Sequence, residues 1–480
     1  MTAVLIQTQN LTLEREQQLL LDNANFSINT GDQLLVVGAS GCGKSSLAKA
    51  LAGQLYYRGN IKINAGNDFT TTGVTLVPQF FYFKDNCGLS DFYYQQRYNS
   101  QDNESTAKVG DELAMLTNHE QVDHLLEILN LRHRISTPLI QLSSGERKKI
   151  QLIKALANPT PIIILDTPYI GLDLQAVTNL NHYLQELAAR GITLIIIADY
   201  CECPDFISKI LKIEQRQTIV IGRSEYYSST TDNATSAGVS ISKPAEFYAD
   251  SIGEYQTLVR FNAVSIRYGE KTILDNISWQ IKPGDKWQLS GVNGAGKSTL
   301  LSLITGDNPQ AYANQIYLFD RRRGSGETIW EIKRNIGYIS PELHWNFAQN
   351  LSCLNVILSG FFDTPGLYAR ANDQQIKLAQ QWLTGLGLGE HSNSQFSQLS
   401  TGLQRMILLI RAIVKNPPLL IFDEPCQGLD DFHTRQFLAL VDELFADSSH
   451  AIIYVSHRPD QIPNCIKQRA TLINGKLNLS

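Results

Sequence analysis

The sequence predicts an α/β protein that contains two tandem copies of one domain, each with a mostly parallel sheet flanked by helices. Short, continuous apolar runs alternate with stretches of helical period, and strands buried on both faces of a parallel sheet have this composition. Three short motifs of the first half recur in the second half in the same order and at similar spacing. Such self-similarity indicates a duplicated domain.

The two copies are predicted at residues 1–224 and 258–480, with a helical subdomain in each. The linker at 225–257 is rich in Ser, Thr and Ala, which favours a flexible, extended segment. The predicted strands are 33–38, 162–166 and 193–199 in the first half and 286–291, 419–423 and 451–457 in the second. The stretch 403–414 has helical period and places these residues on one face: Leu403, Met406, Ile407, Ile410 and Val414.

The composition predicts a globular protein of a reducing compartment, and we expect a cytoplasmic location. The chain has 480 residues, of which 43% are hydrophobic and 18% charged, enough for a sizeable core. A net charge of −5 argues against a nucleic-acid partner. No apolar run reaches the roughly 18 residues of a membrane span, and the N-terminus does not resemble a signal peptide. The seven cysteines show no disulfide spacing.

Two glycine-rich loops follow predicted strands and open predicted helices, which is the context of a phosphate-binding P-loop. Backbone N–H groups of such a loop converge on phosphate oxygens, and the helix N-terminus adds partial positive charge. The lysine would reach the β- and γ-phosphates of ATP, and the serine after it would bind Mg²⁺. The predicted ATP-binding residues are Gly38, Ala39, Ser40, Gly41, Cys42, Gly43, Lys44, Ser45 and Ser46, and Gly291, Val292, Asn293, Gly294, Ala295, Gly296, Lys297, Ser298 and Thr299.

A second pair of motifs indicates which kind of P-loop protein the chain resembles. The pentapeptides LSSGE (142–146) and LSTGL (399–403) resemble the LSGGQ signature of the ATP-binding-cassette (ABC) ATPases. A Ser-x-Gly turn at a helix N-terminus is a further anion site. In this family the signature completes the ATP site of the opposite cassette in a head-to-tail pair. The resemblance implies ATP contacts from Ser143, Gly145, Ser400 and Gly402.

The ABC resemblance also assigns catalytic roles in the second half. Glu424 would be the general base for the attacking water, and His457 would contact the γ-phosphate. Tyr268 would stack on the adenine. The Mg²⁺ ligands that the resemblance implies across both halves are Ser45, Gln79, Asp166, Ser298 and Asp423.

The first half departs from the family pattern at three positions. Thr167 replaces the glutamate, Asp199 replaces the histidine, and Arg15 stands where the adenine-stacking aromatic is expected. Threonine accepts no proton near neutral pH, and general-base catalysis contributes roughly 10²–10⁴-fold. This site is therefore expected to hydrolyse ATP very slowly. In the second half Pro341 replaces the Mg²⁺-binding glutamine, and either water or Glu342 would complete the ion's shell.

Because the sites of this family are shared, each ATP site is expected to draw on both halves. The competent site would comprise Lys297, Asp423, Glu424 and His457 with Ser143 and Gly145 opposite. The impaired site would comprise Lys44 and Asp166 with Ser400 and Gly402 opposite.

The run 303–340 resembles a group of tandem ATP-binding proteins assigned to molybdenum transport. That resemblance implies an ATPase subunit docked beneath membrane permease subunits, with an exposed apolar groove near 80–98 and 343–362. The alternative is a soluble ABC protein that acts on ribosomes or nucleic acid, or a nucleotide-dependent regulator. The ribosomal kind carries a charged, helical linker and two glutamates, so the Ser/Thr-rich linker and Thr167 favour transport.

Overall fold

The chain folds into two compact units in the computed structural model, the first containing the described residues up to 229 and the second those from 255 onward. The structure describes residues 4–15, 18–64, 73–79, 107–139, 142, 144–172, 174–198, 203–229, 255–269, 271–345, 347 and 350–480.

The first unit has nine described strands and six described helices. In chain order they are β1 (Val4–Arg15), β2 (Gln18–Asn29), β3 (Leu34–Gly38), α1 (Lys44–Leu51), β4 (Arg58–Ile63), β5 (Val74–Val77), α2 (Val109–Ala114), α3 (His119–Ile128), α4 (Ser144–Leu156), β6 (Ile162–Asp166), α5 (Leu174–Ala189), β7 (Thr193–Ile197), β8 (Lys209–Glu214), β9 (Gln217–Gly222) and α6 (Arg223–Ser229). The predicted boundary at residue 224 falls inside α6.

The second unit has ten described strands and seven described helices. They are β10 (Val259–Tyr268), β11 (Lys271–Ile281), β12 (Lys286–Ser290), α7 (Lys297–Ile304), β13 (Gln315–Leu318), β14 (Arg321–Arg322), α8 (Ile329–Arg334), β15 (Ile336–Ile339), α9 (Pro341–Trp345), α10 (Cys353–Leu358), α11 (Asp373–Gly385), α12 (Thr401–Ile413), β16 (Leu419–Asp423), α13 (Asp431–Phe445), β17 (Ala451–Val455), β18 (Gln468–Ile473) and β19 (Lys476–Leu479).

The two units share one sheet topology, which confirms the predicted α/β fold. The six-stranded sheets have the orders β5-β6-β7-β3-β8-β9 and β15-β16-β17-β12-β18-β19, and in each only the last pair is antiparallel. A smaller antiparallel sheet accompanies each, with the orders β2-β1-β4 and β11-β10-β13-β14. In both units the P-loop follows a central strand, β3 or β12, so phosphate-binding residues lie at the carboxyl edge of the parallel sheet.

The central strands are buried on both faces, as their continuous apolar runs predict. Alternate residues of β6 belong to two different cores: Ile163 and Leu165 pack with the helices, whereas Ile162 and Ile164 pack on the side of the smaller sheet. In the second unit β16 divides its side chains between two cores in the same way. None of the described helices is long and apolar enough to cross a membrane.

An exposed apolar groove is predicted near residues 343–362. In the described part of that segment none of the large apolar side chains is exposed, but Leu351, Leu354 and Phe361 are half-buried. Val356, Ile357 and Leu358 of α10 are buried and pack with α12 and α13 in one core. Apolar composition predicts burial, and these three side chains are buried within their own unit. The other predicted segment, 80–98, lies outside the described residues.

Helix α13 offers a matched pair of phenylalanines that tests this core. Phe437 is fully buried, with its ring centroid 6.2 Å from that of Phe422, whereas Phe432 is 53% exposed. Phe437→Ala is expected to lower the free energy of unfolding by about 3–5 kcal/mol, because it removes a buried ring and leaves a cavity. Phe432→Ala is expected to lower it by less than about 1 kcal/mol. Urea unfolding of the full chain measures both, and equal losses would contradict the assigned core face.

Candidate active site

The P-loop of the second half holds its own lysine. Gly296 precedes α7 with a φ of 106°, and a Cβ there would lie 3.0 Å from the Leu274 side chain, so glycine is required at this helix entry. Lys297 Nζ donates to the carbonyl oxygens of Gly291 at 2.7 Å and Val292 at 3.2 Å. The ammonium group therefore lies against the loop whose N–H groups are predicted to bind phosphate.

Three predicted residues from separate segments meet beside this loop. Glu424 follows β16, and its N–H donates to the Val455 carbonyl of β17 at 3.0 Å. His457 lies just beyond the end of β17. Its Nε2 is 3.2 Å from Oε1 of Glu424 and 3.0 Å from Nζ of Lys297. This nitrogen either donates to the carboxylate or accepts from the lysine, so the protonation of His457 decides which contact is a hydrogen bond.

The surrounding cations favour the ionised form of Glu424, whose side chain is 21% exposed. Burial acts to raise the pKa of this carboxyl, but the hydrogen bond and charge of His457, with the charges of Lys297 and Arg405, outweigh burial. The pKa of Glu424 therefore lies below its ordinary value. A carboxylate that is ionised at neutral pH can accept a proton from water, which is what a general base requires.

The sequence reasoning missed Gln427, which lies in the turn after Glu424. Gln427 Nε2 donates to Oε2 of Glu424 at 2.9 Å, while His457 lies beside Oε1. The signal was available in the repeat, because Ile170 stands at this position in the first half. A side chain able to donate a hydrogen bond accompanies the glutamate in one copy and is missing from the copy that lacks it.

The first half repeats this backbone around a different side chain. Thr167 has a φ of 46° and Glu424 one of 44°, an uncommon left-handed conformation for residues other than glycine. The Thr167 N–H donates to the Ile197 carbonyl at 2.8 Å, as that of Glu424 does to Val455. Thr167 Oγ1 is buried with no hydrogen-bond partner among the described residues. The first half thus keeps the turn and lacks the group that accepts a proton.

Ser45 and Asp166 lie together in the first half, where their side chains form a hydrogen bond. Burial raises the pKa of Asp166 above its ordinary value, although the Ser45 hydrogen bond and the charges of Lys148 and Lys44 oppose this. Lys44 Nζ donates to the carbonyl oxygen of Gly38. A hydroxyl and a carboxylate beside a phosphate-binding loop are oxygen donors suited to Mg²⁺.

Tyr268 and Arg15 occupy matching places in two hairpins. Tyr268 pairs with Lys271 at the end of β10, and Arg15 pairs with Gln18 at the end of β1. Tyr268 is 41% exposed, and its hydroxyl accepts a hydrogen bond from Asn308 at 3.0 Å. The strand register therefore agrees with the alignment that puts Arg15 where an adenine-stacking ring is expected.

Gln79 and Pro341 also occupy matching places, each just past an edge strand, β5 or β15. Gln79 is half-buried, whereas Pro341 is buried and begins α9. Proline carries no side-chain oxygen, so this position of the second half cannot supply the amide ligand that Gln79 offers. The side chain of Glu342, the alternative ligand, lies outside the described part of the chain, as do Asp199 and Ser143.

The signature of the second half begins α12. Ser400 is the N-cap, and its Oγ accepts from the Leu403 N–H at 3.4 Å. Gly402 lies against His433, and a Cβ on Gly402 would be 2.2 Å from His433 Cδ2. Asp430 Oδ1 lies 2.8 Å from Nδ1 of that ring. Glycine is thus required at position 402, because the His433 ring cannot move away without breaking its contact with Asp430.

In the first half glycine is also required at the matching position, but there a backbone atom, and not a side chain, leaves no room for a Cβ. A Cβ on Gly145 would lie 2.1 Å from the carbonyl oxygen of Gly171. Ala176 stands at the position of His433. The two signature loops therefore require glycine for different reasons, although they share one motif.

The oxygen donors fit Mg²⁺ held together with a phosphate ligand. Ser298 lies in the first turn of α7 and Asp423 ends β16, matching Ser45 and Asp166. The described residues contain no group of three or more His, Cys, Asp or Glu side chains able to hold a metal ion. Mg²⁺ commonly binds through one or two carboxylates together with substrate phosphates and water, so a sparse donor set suits it.

The fold and these motifs place the chain in the ABC transporter family. A family model described as ABC transporter matches residues 21–169 and 274–427, one match in each half. The chain is therefore an ABC transporter ATP-binding protein with two tandem cassettes, as the signature resemblance predicted. Membership implies that ATP binding and hydrolysis are its chemistry.

Similar proteins span nearly the whole chain. The ABC transporter ATP-binding protein ModF of Escherichia coli (strain K12) is 35% identical over 462 residues, which cover 93% of this chain and 92% of ModF. An uncharacterized ABC transporter ATP-binding protein of Schizosaccharomyces pombe is 28% identical over 474 residues, covering 95% and 96% of the two chains. The archaeal ribosome recycling factor aABCE1, solved with ribosomal stalk protein aP1, has a TM-score of 0.56 at 16% identity, covering 98% of this chain and 89% of that one. That likeness shows the fold alone.

The contact between Gly402 and His433 can be tested by a double-mutant cycle. Gly402→Ala is expected to lower the free energy of unfolding by about 1–3 kcal/mol, because the added methyl group overpacks a fixed ring. In a His433→Ala background the same change is expected to cost much less, since the obstructing atoms are gone. Gly145→Ala serves as the control, because His433→Ala cannot relieve its backbone clash. Additive losses for Gly402→Ala and His433→Ala would contradict the contact.

Proposed function

We propose that this chain hydrolyses ATP at a centre built on the second half, while the first half binds nucleotide with little turnover. The observation that carries the proposal is the meeting of Lys297, His457 and Glu424 beside the P-loop. The first half keeps a P-loop lysine and the Asp166 carboxylate, but Thr167 stands where the base is needed.

The geometry supports a division of labour among the residues of the second half. Glu424 would take a proton from the attacking water, since its pKa lies below the ordinary value and it is ionised at neutral pH. Lys297 Nζ, which donates to carbonyl oxygens of its own loop, would donate to phosphate oxygens instead. His457 would contact the γ-phosphate. Bound Mg²⁺ would neutralise charge on the phosphates, and Ser298 and Asp423 would hold it.

We also propose that each ATP site is completed by the signature of the other cassette. Ser143 and Gly145 would complete the competent site, and Ser400 and Gly402 the impaired one. The tandem order of two cassettes supports this arrangement. An anion at the N-terminus of α12 would be favoured by the helix dipole as well as by the Ser400 hydroxyl.

The biological role we favour is that of the ATPase subunit of a transport system related to molybdenum or molybdate. Its support is the 35% identity to ModF across nearly both chains and the resemblance of residues 303–340 to that group. We expect the chain to be cytoplasmic and peripheral to the membrane, bound to permease subunits. The cargo would be handled by those partners.

A soluble ABC protein that acts on ribosomes, or a nucleotide-dependent regulator, is the second candidate. One observation favours it: Val356, Ile357 and Leu358 are buried within the unit, and none of the large apolar side chains in the described part of 343–362 is exposed for a permease. The net charge of −5 still argues against direct nucleic-acid binding.

Glu424→Gln tests the catalytic assignment. Turnover of ATP by the full chain is expected to fall by roughly 10²–10⁴-fold, because an amide cannot act as the base. Binding of ATP should be retained. The matched variant Thr167→Glu is expected to change turnover far less, since Asp199 and Arg15 also depart from the family pattern. Phosphate release and nucleotide binding measure both, and substantial hydrolysis by Glu424→Gln would refute the assignment.

Affinity purification from membranes tests the biological role. With the chain tagged and expressed at its natural level, a permease is expected to co-purify from detergent extracts. A tagged Glu424→Gln variant, which should remain in its ATP-bound state, is expected to alter that yield. Recovery of ribosomes or nucleic acid without a permease would overturn the transport proposal in favour of the second candidate.

A further inference from the structure

We propose that Gln427 is a positioning residue that orients the carboxylate of Glu424, and that Arg405 fixes the turn from which Gln427 acts. This inference rests on the proposed role of Glu424 as the base. The main-chain N–H of Gln427 donates to the Glu424 carbonyl at 3.1 Å, which closes a tight turn. That turn brings the amide side chain back onto the carboxylate.

The contact between the two side chains is a charge-assisted hydrogen bond. Gln427 Nε2 donates to Oε2 of Glu424 at 2.9 Å, whereas His457 Nε2 lies 3.2 Å from Oε1. A carboxylate with a neighbour at each oxygen cannot rotate freely about its last bond. Bonds to an ionised acceptor are stronger than neutral ones, so this contact is suited to holding a base in one orientation.

Arg405 anchors the other end of the device. Its side chain is buried, and its two terminal nitrogens donate to the carbonyl oxygens of Ser340 at 3.3 Å and Gln427 at 3.4 Å. Arg405 belongs to α12, the helix that begins with the signature. A continuous set of contacts therefore runs from the signature helix through Gln427 to Glu424 and on to His457.

The first half supplies an internal comparison. Lys148 stands at the position of Arg405 and donates to the carbonyl oxygens of Pro78 at 2.8 Å and Asp166 at 3.1 Å. Pro78 matches Ser340, but the second contact goes to the strand end instead of the turn. Ile170, at the position of Gln427, has no side-chain donor. The half without the base thus also lacks the residue that would orient it.

Two substitutions separate orientation from packing. Gln427→Met keeps the length of the side chain and removes the donor, whereas Gln427→Glu keeps its shape and places a second carboxylate against the first. We expect kcat for ATP hydrolysis to fall roughly tenfold in Gln427→Met, which corresponds to the loss of one hydrogen bond to a charged group. The kcat of Gln427→Glu is expected to fall further. KM for ATP should stay within about twofold of the parent value, because the substitution removes no contact that holds ATP equally in the ground state and the transition state.

A packing role predicts the opposite order, since glutamate is the closer isostere of glutamine. Activity of Gln427→Met equal to that of the parent, or of Gln427→Glu above that of Gln427→Met, would overturn the inference. Thermal unfolding of each full-length variant verifies that it is folded. Ile170→Gln is the matched control and is expected to leave turnover unchanged, because Thr167 presents no carboxylate to orient.

Glu424→Gln distinguishes failure of this inference from failure of the proposed function. If Glu424→Gln abolishes turnover and Gln427→Met does not reduce it, the base assignment stands and the orienting role of Gln427 is refuted. If Glu424→Gln retains turnover, the proposed function itself fails, whatever Gln427→Met does.

Discussion

The site depends on a single backbone constraint, the left-handed residue at the end of β6 and of β16. Its N–H is bonded to the neighbouring strand, through Ile197 in one unit and Val455 in the other. A non-glycine residue in this conformation carries strain on the order of 1–3 kcal/mol, and it persists because the surrounding structure determines it. The turn is therefore a property of the sheet, and the side chain on it can change from glutamate to threonine without altering the backbone.

The parallel sheet converts this local turn into a site. Carboxyl ends of adjacent parallel strands lie at one edge, so the residues that follow β12, β16 and β17 converge although they are far apart in the chain. Lys297 and His457 bring positive character to Glu424, and that character outweighs the effect of burial on its pKa. In the first half the corresponding edge presents Thr167, whose side chain does not ionise near neutral pH.

The two halves have diverged in more than the catalytic acid. Gln427 corresponds to Ile170 in the other copy, His433 corresponds to Ala176, and the buried Arg405 corresponds to Lys148. These differences surround the turn and the signature helix, whereas the P-loops and the sheet order are alike. This pattern supports the proposal that one copy binds nucleotide with little turnover.

The sequence alone determined the duplication, the parallel sheets and the position of the P-loops. Strands 162–166 and 419–423 have the predicted bounds, because continuous apolar runs report burial on both faces. Motifs such as the P-loop are also local, since glycines at fixed spacing dictate one backbone path. The resemblance to ABC ATPases followed from those motifs and is confirmed by the family match.

Tertiary structure decided which side chains touch. Neither periodicity nor a motif indicates that Gln427 turns back onto Glu424, or that His433 makes Gly402 obligatory. Both contacts depend on the direction of a half-buried side chain, Gln427 in a turn and His433 in the first turn of α13, which sequence pattern does not encode. The apolar segment after Pro341 shows the same division. Its composition predicts burial, but only the folded structure shows that α10 is buried against α12 and α13 of its own unit. Burial is encoded locally, whereas the choice of partner is a property of the folded chain.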